Sequence, residues 1–263
     1  MRRTLFLLLI LFSGCVTTQK LQQGQEVGCD YFSFIWNTAT WDLARSKEKR
    51  FVKLVPVNWS DGSSEGQGFS LRIYKSEVYE GQNVPVEIAS INISSDSYQK
   101  RPEYISKNGT EIFFDKDADY ETLPRNPDGS PKLMLARYYK HIIYSRKWER
   151  ITYLDGLKCI DNMYIGIGSK SYKMYCGYYD KTSVKRILRI TFTYDSPIFS
   201  QKRLNHNMIV KTGDAPSVQP IESLLKQATE QLISTIKIKN MDRERMEREG
   251  LIYHGKTYEI SPY

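Results

Sequence analysis

Histidine and cysteine are scarce in this chain of 263 residues, which contains three and four of them respectively. His141, His206 and His254 are far apart, and none has a second ligand at the short spacing of a zinc or triad motif. The Gly-rich stretch Gly166–Lys170 lacks the Walker spacing, and no internal repeat is present. These absences argue against a metal site, a nucleotide-binding loop and a repeat architecture.

Two motifs match catalytic or metal-binding loops only in part. Gly62–Gly66 has the spacing of a nucleophile elbow around Ser64, but that elbow needs a following helix, whereas Phe69–Ile73 predicts a strand. Asp115, Asp117 and Asp119 alternate as at the start of an EF-hand, yet Tyr120 and Asn126 replace the required Gly and Glu. We therefore expect an acidic surface loop for a basic partner, and no enzyme activity, cofactor or metal.

The N-terminus has the features of an export signal. Arg2 and Arg3 precede the apolar run Leu5–Phe12, which is far shorter than the ~20 residues that span a bilayer. Leu11-Phe12-Ser13-Gly14-Cys15 resembles the bacterial lipobox, which implies a signal peptide over residues 1–14 and lipidation of Cys15. Val16 follows, where an inner-membrane retention signal would have Asp, so the resemblance implies an outer-membrane protein facing the periplasm. An ordinary secretory signal is the alternative.

An exported chain changes what the charge and the cysteines predict. Without residues 1–14 the chain has 249 residues and its net charge falls from +8 to +6, because Arg2 and Arg3 are lost. Export removes nucleic acid from the partners of a basic protein and leaves lipid phosphates or an acidic protein, or plain solubility. Residues 15–28 are predicted to be a polar tether, and residues 29–263 a single globular domain.

Cys29, Cys159 and Cys176 then remain for disulfide formation in an oxidising compartment, and they allow three different single bridges. We favour Cys159–Cys176, because a hairpin that turns at Ile167-Gly168, midway between them, brings these two residues face to face. Closing a loop of this length stabilises a fold by about 3 kcal/mol. Cys29 would then be free.

The predicted fold class is α+β, with mostly antiparallel sheets and one long amphipathic C-terminal helix packed on a sheet. The helix is predicted over Ile221–Ile238, where apolar residues recur at helical spacing. A charged helix is expected over Met241–Glu249, ended by Gly250, and a hairpin over Leu251–Ile260. Strands are expected at Phe69–Ile73, Val84–Ile93 and Leu188–Tyr194, where apolar residues alternate, and at Phe51–Val57, which is β-branched and apolar. A further hairpin is expected over Tyr104–Phe114, with its turn at Asn108-Gly109.

Basic and aromatic residues interleave between positions 137 and 148. This pattern is typical of a surface that grips a protein or phosphates, and equally of a half-exposed sheet edge kept soluble by charge. Together with the acidic loop, this stretch supplies the candidate partner-binding residues: Arg137, Tyr138, Lys140, Tyr144, Arg146 and Trp148.

As a whole the chain resembles the lipoprotein immunity proteins that neutralise type VI secreted phospholipases. The features that carry the resemblance are the lipobox ending at Cys15, a single β-rich domain of this size, and the segment from Gly156-Leu157-Lys158-Cys159 to Cys176. The resemblance implies a periplasmic protein that binds a toxin and occludes its active site without chemistry of its own. The alternatives are a housekeeping envelope lipoprotein and a hydrolase that uses Ser64.

Overall fold

A computed structural model of the protein describes residues 21–37, 50–60, 65–79, 81–119, 126–127, 134–138, 141–145, 150–166, 169–195, 227, 229–255 and 258–259. The described strands are β1 (Glu26–Gly28), β2 (Phe32–Ile35), β3 (Arg50–Ser60), β4 (Glu65–Tyr79), β5 (Gln82–Ser97), β6 (Met134–Tyr138), β7 (His141–Ser145), β8 (Arg150–Leu154), β9 (Leu157–Gly166), β10 (Ser169–Tyr179), β11 (Lys185–Asp195), β12 (Lys237–Ile238) and β13 (Tyr258–Glu259).

Ten of these strands form one large antiparallel sheet, whose order is β13-β8-β9-β10-β11-β5-β4-β3, with the β6–β7 hairpin attached to β9. The strands predicted from alternating or β-branched apolar residues are confirmed within β3, β4, β5 and β11. In β11, Leu188, Ile190 and Phe192 are buried on what we term the first face of the sheet, and Ile187 and Arg189 point to the second face.

A small sheet of the order β1-β2-β12 lies over the first face. Phe32 and Phe34 of β2 make edge-to-face contacts with Phe69 of β4, at ring-centroid distances of 6.1 and 5.8 Å. The main hydrophobic core lies between the two sheets and also receives Trp36 and Met246. Leu21 packs against the same core, and the Gly24 amide donates to the Trp36 carbonyl at 2.9 Å.

The predicted α+β class, with its long helix over Ile221–Ile238, is wrong, because the described part of the chain is mostly β, with two antiparallel sheets and only short helices. Within that interval the structure describes helical backbone only at residues 227 and 229–233, and residues 221–226 lie outside the described residues. Lys237 and Ile238 form β12, which pairs with Ser33 and Phe32.

Local hydrogen bonds explain why the helix stops. The hydroxyls of Ser234 and Thr235 donate to the carbonyls of Gln231 and Leu232, at 2.8 Å each, and so compete with further helical bonds. Ile236 and Ile238 are buried on either side of the exposed Lys237, which is the period of a strand. The described apolar residues at helical spacing were therefore correctly predicted to be buried, but Ile236 and Ile238 are not helical.

The C-terminal segment closes the fold over both sheets. The charged helix predicted over Met241–Glu249 is confirmed in part. A short helix covers Arg243–Arg248 and is capped by the Asp242 side chain, and the chain leaves it at Gly250, whose φ is +71°. The predicted hairpin over Leu251–Ile260 does not pair with itself where it is described. Ile252 bridges to Leu157, and Tyr258 pairs with Leu154.

Candidate functional site

The predicted disulfide is present. Cys159 of β9 and Cys176 of β10 are directly paired in register, with their Cα atoms 4.2 Å apart, and both are fully buried. Gly166 pairs with Ser169, so the described strands β9 and β10 pair up to either side of the predicted turn, whose residues 167 and 168 lie outside the described residues. Cys29 is free and half-buried, and burial raises the pKa of its thiol. Three described cysteines are thereby accounted for.

The second face of the large sheet carries a cover that the sequence did not reveal. After β5 the chain turns back across the sheet as residues 98–119, which we call the covering segment. Tyr104, Ile112 and Phe113 of this segment form a second core with Ile160 and Ile187 of the sheet. The Asn108-Gly109 turn is confirmed, with a φ of +83° at Gly109, but a single bridge, Ile105 to Glu111, flanks it rather than two strands.

Gly177 allows this cover to approach closely. A Cβ atom at Gly177 would lie 2.3 Å from Cβ of Phe113, a distance that side chains do not tolerate. The Phe113 side chain therefore rests on bare backbone of β10. The covering segment, held in this way, builds a recess against the end of β5.

This recess, which we call the Asp96 cleft, has a volume of about 120 Å³. It lies where β5 leaves the sheet, beside β11 and below the 3-10 turn Pro102–Tyr104. Its lining combines two guanidinium groups, one carboxylate and few apolar groups: Asp96, Ser97, Gln99, Arg101, Tyr104, Ile187 and Arg189.

Asp96 and Arg189 form the floor of the cleft. Asp96 pairs with Ile187 and Ser94 pairs with Arg189, so the two charged side chains are diagonal neighbours on the second face. Nη2 of Arg189 lies 3.1 Å from Oδ2 of Asp96, whereas Oδ1 of Asp96 has no hydrogen-bond partner among the described residues. Asp96 is only 5% exposed, and this burial raises the pKa of its carboxyl against the opposing charge of Arg189.

The remaining wall places a second cation at the mouth of the cleft. Arg101 is exposed and forms no ion pair within the described part of the chain. The Arg189 guanidinium also lies 5.9 Å from the ring centroid of Tyr175, whose ring neighbours Tyr104 at 5.6 Å. The Ser97 hydroxyl is engaged by the backbone of Glu65, both as donor and as acceptor, which makes it an unsuitable nucleophile. The arrangement suits the binding of an anion.

The predicted binding residues are not brought together. Arg137, Tyr138 and Tyr144 lie on the β6–β7 hairpin, which adjoins the Ile165 end of β9. Lys140, Arg146 and Trp148 lie outside the described residues, as does Cys15. Between Lys132 and Trp148 every described residue belongs to one of the two strands β6 and β7.

The acidic loop lies at the other end of β9. Asp115 accepts a hydrogen bond from the Asp117 amide at 2.9 Å, and Asp117 and Asp119 are exposed. The charges of Asp115 and Asp117 act on buried Lys158 of β9, whose pKa is lowered by burial and partly restored by these carboxylates. Lys158 and Ile165 are about 23 Å apart along the strand, so the acidic and the basic candidates form separate surfaces.

The remaining sequence motifs do not form a catalytic or metal-binding site among the described residues. Ser64 lies outside the described residues, and Glu65 begins strand β4 where a nucleophile elbow needs a helix. His254 is exposed in a turn, and His206 lies outside the described part. Among the described residues no three His, Cys, Asp or Glu side chains converge as metal ligands do. The described stretches also include no helix with the length and apolarity to cross a membrane.

Sequence reasoning missed Asp96, Arg101 and Arg189 as a group. The alternation of β11 already directed Arg189 away from the core, and the same holds for Asp96 after Ile91 and Ile93. What the sequence did not contain is the register that sets β5 beside β11, or the return of the covering segment. The register depends on contacts between residues about ninety positions apart in the chain. The return of the covering segment depends on contacts such as that of Phe113 with Gly177, which are also far apart in sequence.

Comparisons of the chain with protein-family models, with curated proteins and with solved structures found no match.

Proposed function

We propose that this protein is a lipid-anchored periplasmic binding protein of the outer membrane. We further propose that it is an immunity protein, which binds a secreted antibacterial toxin of the phospholipase type and occludes its active site. In this proposal the protein catalyses no reaction and needs no cofactor. Its partners are the toxin and, through Cys15, the membrane.

One observation carries the proposal: a leader that ends in Ser13-Gly14-Cys15 precedes a β-sheet domain whose β9–β10 hairpin contains a disulfide. Disulfides form and persist in oxidising compartments such as the bacterial periplasm, so the Cys159–Cys176 bridge supports export. Anchoring with more than one acyl chain gives stable membrane attachment, which would keep a binding protein at high local concentration. The assignment to toxin immunity rests on the resemblance of the whole chain.

The anchor is tested first. Cys15→Ser should move the protein from the membrane fraction to the soluble periplasmic fraction, with the disulfide and the unfolding midpoint unchanged. Cys29→Ser is the matched control, because it removes a different cysteine, and it should leave the protein in the membrane fraction. Membrane attachment of the Cys15→Ser protein would contradict the lipoprotein assignment.

The binding function is tested by affinity measurement with purified products of the neighbouring genes, followed by deletion. An immunity protein should bind one of these products, and its loss should kill only cells that are exposed to that toxin. An envelope defect in a deletion strain that meets no toxin would overturn the immunity proposal in favour of a housekeeping role. Esterase activity that is abolished by Ser64→Ala would overturn the assignment as a binding protein.

A further inference from the structure

We propose that the Asp96 cleft is an anchor pocket for the partner protein and receives one of its acidic side chains, with the carboxylate bound between Arg101 and Arg189. This inference rests on the proposed binding function and adds to it a site and a ligand chemistry.

The charges of the cleft favour an anion. Asp96 and Arg189 are 3.1 Å apart, and the Asp96 carboxylate also faces the charge of Arg101. The described lining of the cleft has two guanidinium groups and one carboxylate. The cleft therefore has one excess positive charge. A carboxylate satisfies this excess, and guanidinium groups bind carboxylates through two parallel hydrogen bonds.

The floor of the cleft holds Arg189 in a fixed position. Asp96, which is 5% exposed, binds one edge of the Arg189 guanidinium, and the ring of Tyr175 lies beside it. The Arg189 side chain remains 34% exposed, so part of the guanidinium is accessible from solvent. An arginine that is already ordered loses less conformational entropy when it binds a ligand. Asp96 is in this sense a positioning residue for Arg189.

The size and walls of the cleft favour a protein side chain. A volume of about 120 Å³ has room for the end of a single side chain. Ile187 and Tyr104 are each only 2% exposed, so the accessible lining is mostly polar, and the guanidinium groups supply hydrogen-bond partners for a carboxylate. A phosphate would also bring more negative charge towards Asp96 than a carboxylate does. Arginine and tyrosine are typical of the residues that dominate binding at interfaces.

The test is a titration of the mature exported protein, carrying Cys15→Ser, with the peptide acetyl-Gly-Glu-Gly-amide. Nitrogen–proton NMR signals of the arginine Nε groups report on the cleft directly. The glutamate peptide should shift the Arg189 and Arg101 signals, and acetyl-Gly-Gln-Gly-amide should not. Arg101→Gln should weaken binding of the glutamate peptide by about tenfold, since a charge-assisted bond is lost.

Lys100→Gln is the matched control, because it removes the same charge from the adjacent exposed residue, which does not line the cleft. It should change binding by less than about twofold. Equal weakening by the two variants would overturn the proposal and leave only a general effect of positive charge. Arg189→Gln leaves the buried Asp96 carboxylate without its partner, and this variant can therefore fail to fold. In that case the surface variant Arg101→Gln provides the test.

Two further arms separate the alternatives. In the first, the protein is titrated with vesicles that contain phosphatidylglycerol. If the vesicles shift the same arginine signals and the glutamate peptide does not, the proposal is overturned in favour of a lipid headgroup. If the peptide fails while the protein still binds its toxin and protects cells, only the cleft assignment falls. If the peptide binds as expected while no toxin is bound, the cleft stands and the proposed immunity function falls.

Discussion

Arg186 is a charged residue buried inside the fold, on the first face of the large sheet. It is 3% exposed, and its Nε donates to Asp180 Oδ2 at 2.7 Å, while Nη2 donates to Glu65 at 2.7 Å. The guanidinium also lies 3.9 Å from the ring centroid of Tyr31. A buried cation is tolerated only when it is paired in this way. The Arg186 cluster thus fixes how the end of β11 meets β4 and the start of the chain.

Asp180 is the most deeply buried partner of Arg186 in this cluster, which also includes Glu65 and Tyr31. It is 1% exposed and accepts hydrogen bonds from the Thr182 hydroxyl and from the amides of Thr182 and Val184. Burial alone raises the pKa of this carboxyl, but the Thr182 hydroxyl and the Arg186 guanidinium outweigh burial and hold the pKa below its ordinary value. The carboxylate therefore stabilises the turn between β10 and β11 at neutral pH.

Asp180→Asn should lower the free energy of unfolding by about 3 kcal/mol at neutral pH, because it leaves the Arg186 charge buried with one partner fewer. The stabilisation from a lowered pKa is fully present above the unfolded-state pKa of about 3.9 and disappears as the pH falls through the lower folded-state value. The difference between the variant and the wild type should thus shrink below about pH 4. Urea unfolding at a series of pH values measures it.

Asp119→Asn is the control for this experiment, since Asp119 is an exposed carboxylate of the covering segment. It should change the free energy of unfolding by less than about 0.5 kcal/mol. A similar small change for Asp180→Asn at neutral pH would show that Arg186 does not depend on this partner.

At the scale of elements, the covering segment is held to the sheet by a contact that leaves no room for a side chain. Gly177→Ala places a methyl group against Cβ and Cγ of Phe113, at 2.3 and 2.8 Å. We expect a loss of about 2 kcal/mol of stability, as for other overpacked cores. The amide of Ile112, which donates to the Tyr104 carbonyl at 2.9 Å, should lose its protection from hydrogen exchange.

Asn92→Ala provides the comparison for Gly177→Ala. Asn92 is exposed and alternates with buried Ile91 and Ile93, so it lies on the second face of the sheet, in β5, which β11 separates from β10. Its replacement should leave the exchange of the Ile112 amide unchanged. Full protection of this amide in the Gly177→Ala variant would show that the covering segment does not rest on β10 as described.

The elements also show what the sequence can predict. Period-two alternation located β4, β5 and β11, because each has one strongly buried face. The symmetry of Cys159 and Cys176 about residues 167–168 predicted their bridge. A second hairpin was overlooked: Asp155 and Gly156, with φ of +51° and +83°, connect β8 to β9 in the manner of an Asp-Gly turn.

The prediction of the long C-terminal helix was wrong for a different reason. Leu232, Ile233 and Ile236 fit a helical stripe, but Ile236 and Ile238 also fit a strand, and periodicity cannot separate these readings over so short a stretch. The pairing of β12 with Phe32 and Ser33, some two hundred residues away in the chain, decides the outcome. Such tertiary pairing overrides local propensity and cannot be predicted from a single sequence.

At the scale of the whole molecule, the C-terminal segment joins the two sheets. β12 extends the small sheet, Met241 forms a bridge with Asp180, and β13 extends the large sheet. Met246 is fully buried, and its sulfur accepts from the Tyr179 amide at 3.4 Å. The Arg245 guanidinium covers the Tyr179 ring at 3.5 Å. The last part of the chain is therefore required for the fold as a whole.

Two truncations should separate these contributions. Of the described strands and helices, a chain that ends at Tyr253 loses only β13, and it should keep a cooperative unfolding transition. A chain that ends at Asn240 also loses Met241, Met246 and Leu251, which are at most 4% exposed. Because each such side chain contributes about 2–5 kcal/mol, their joint loss approaches the whole stability of a typical domain. Circular dichroism during urea unfolding should show no cooperative transition for the shorter chain, and an unchanged midpoint would contradict this account.

The packing of Leu21 against the core also limits where the proposed partner can be met. Only residues 16–20 separate Leu21 from Cys15. At about 3.4 Å per residue, the chain between them spans no more than about 20 Å. With lipid on Cys15, Leu21 would stay within about 20 Å of the lipid surface, and the folded domain would therefore lie next to the bilayer. A toxin would then be intercepted on arrival at the lipid surface on which a phospholipase acts, and not while it crosses the periplasm.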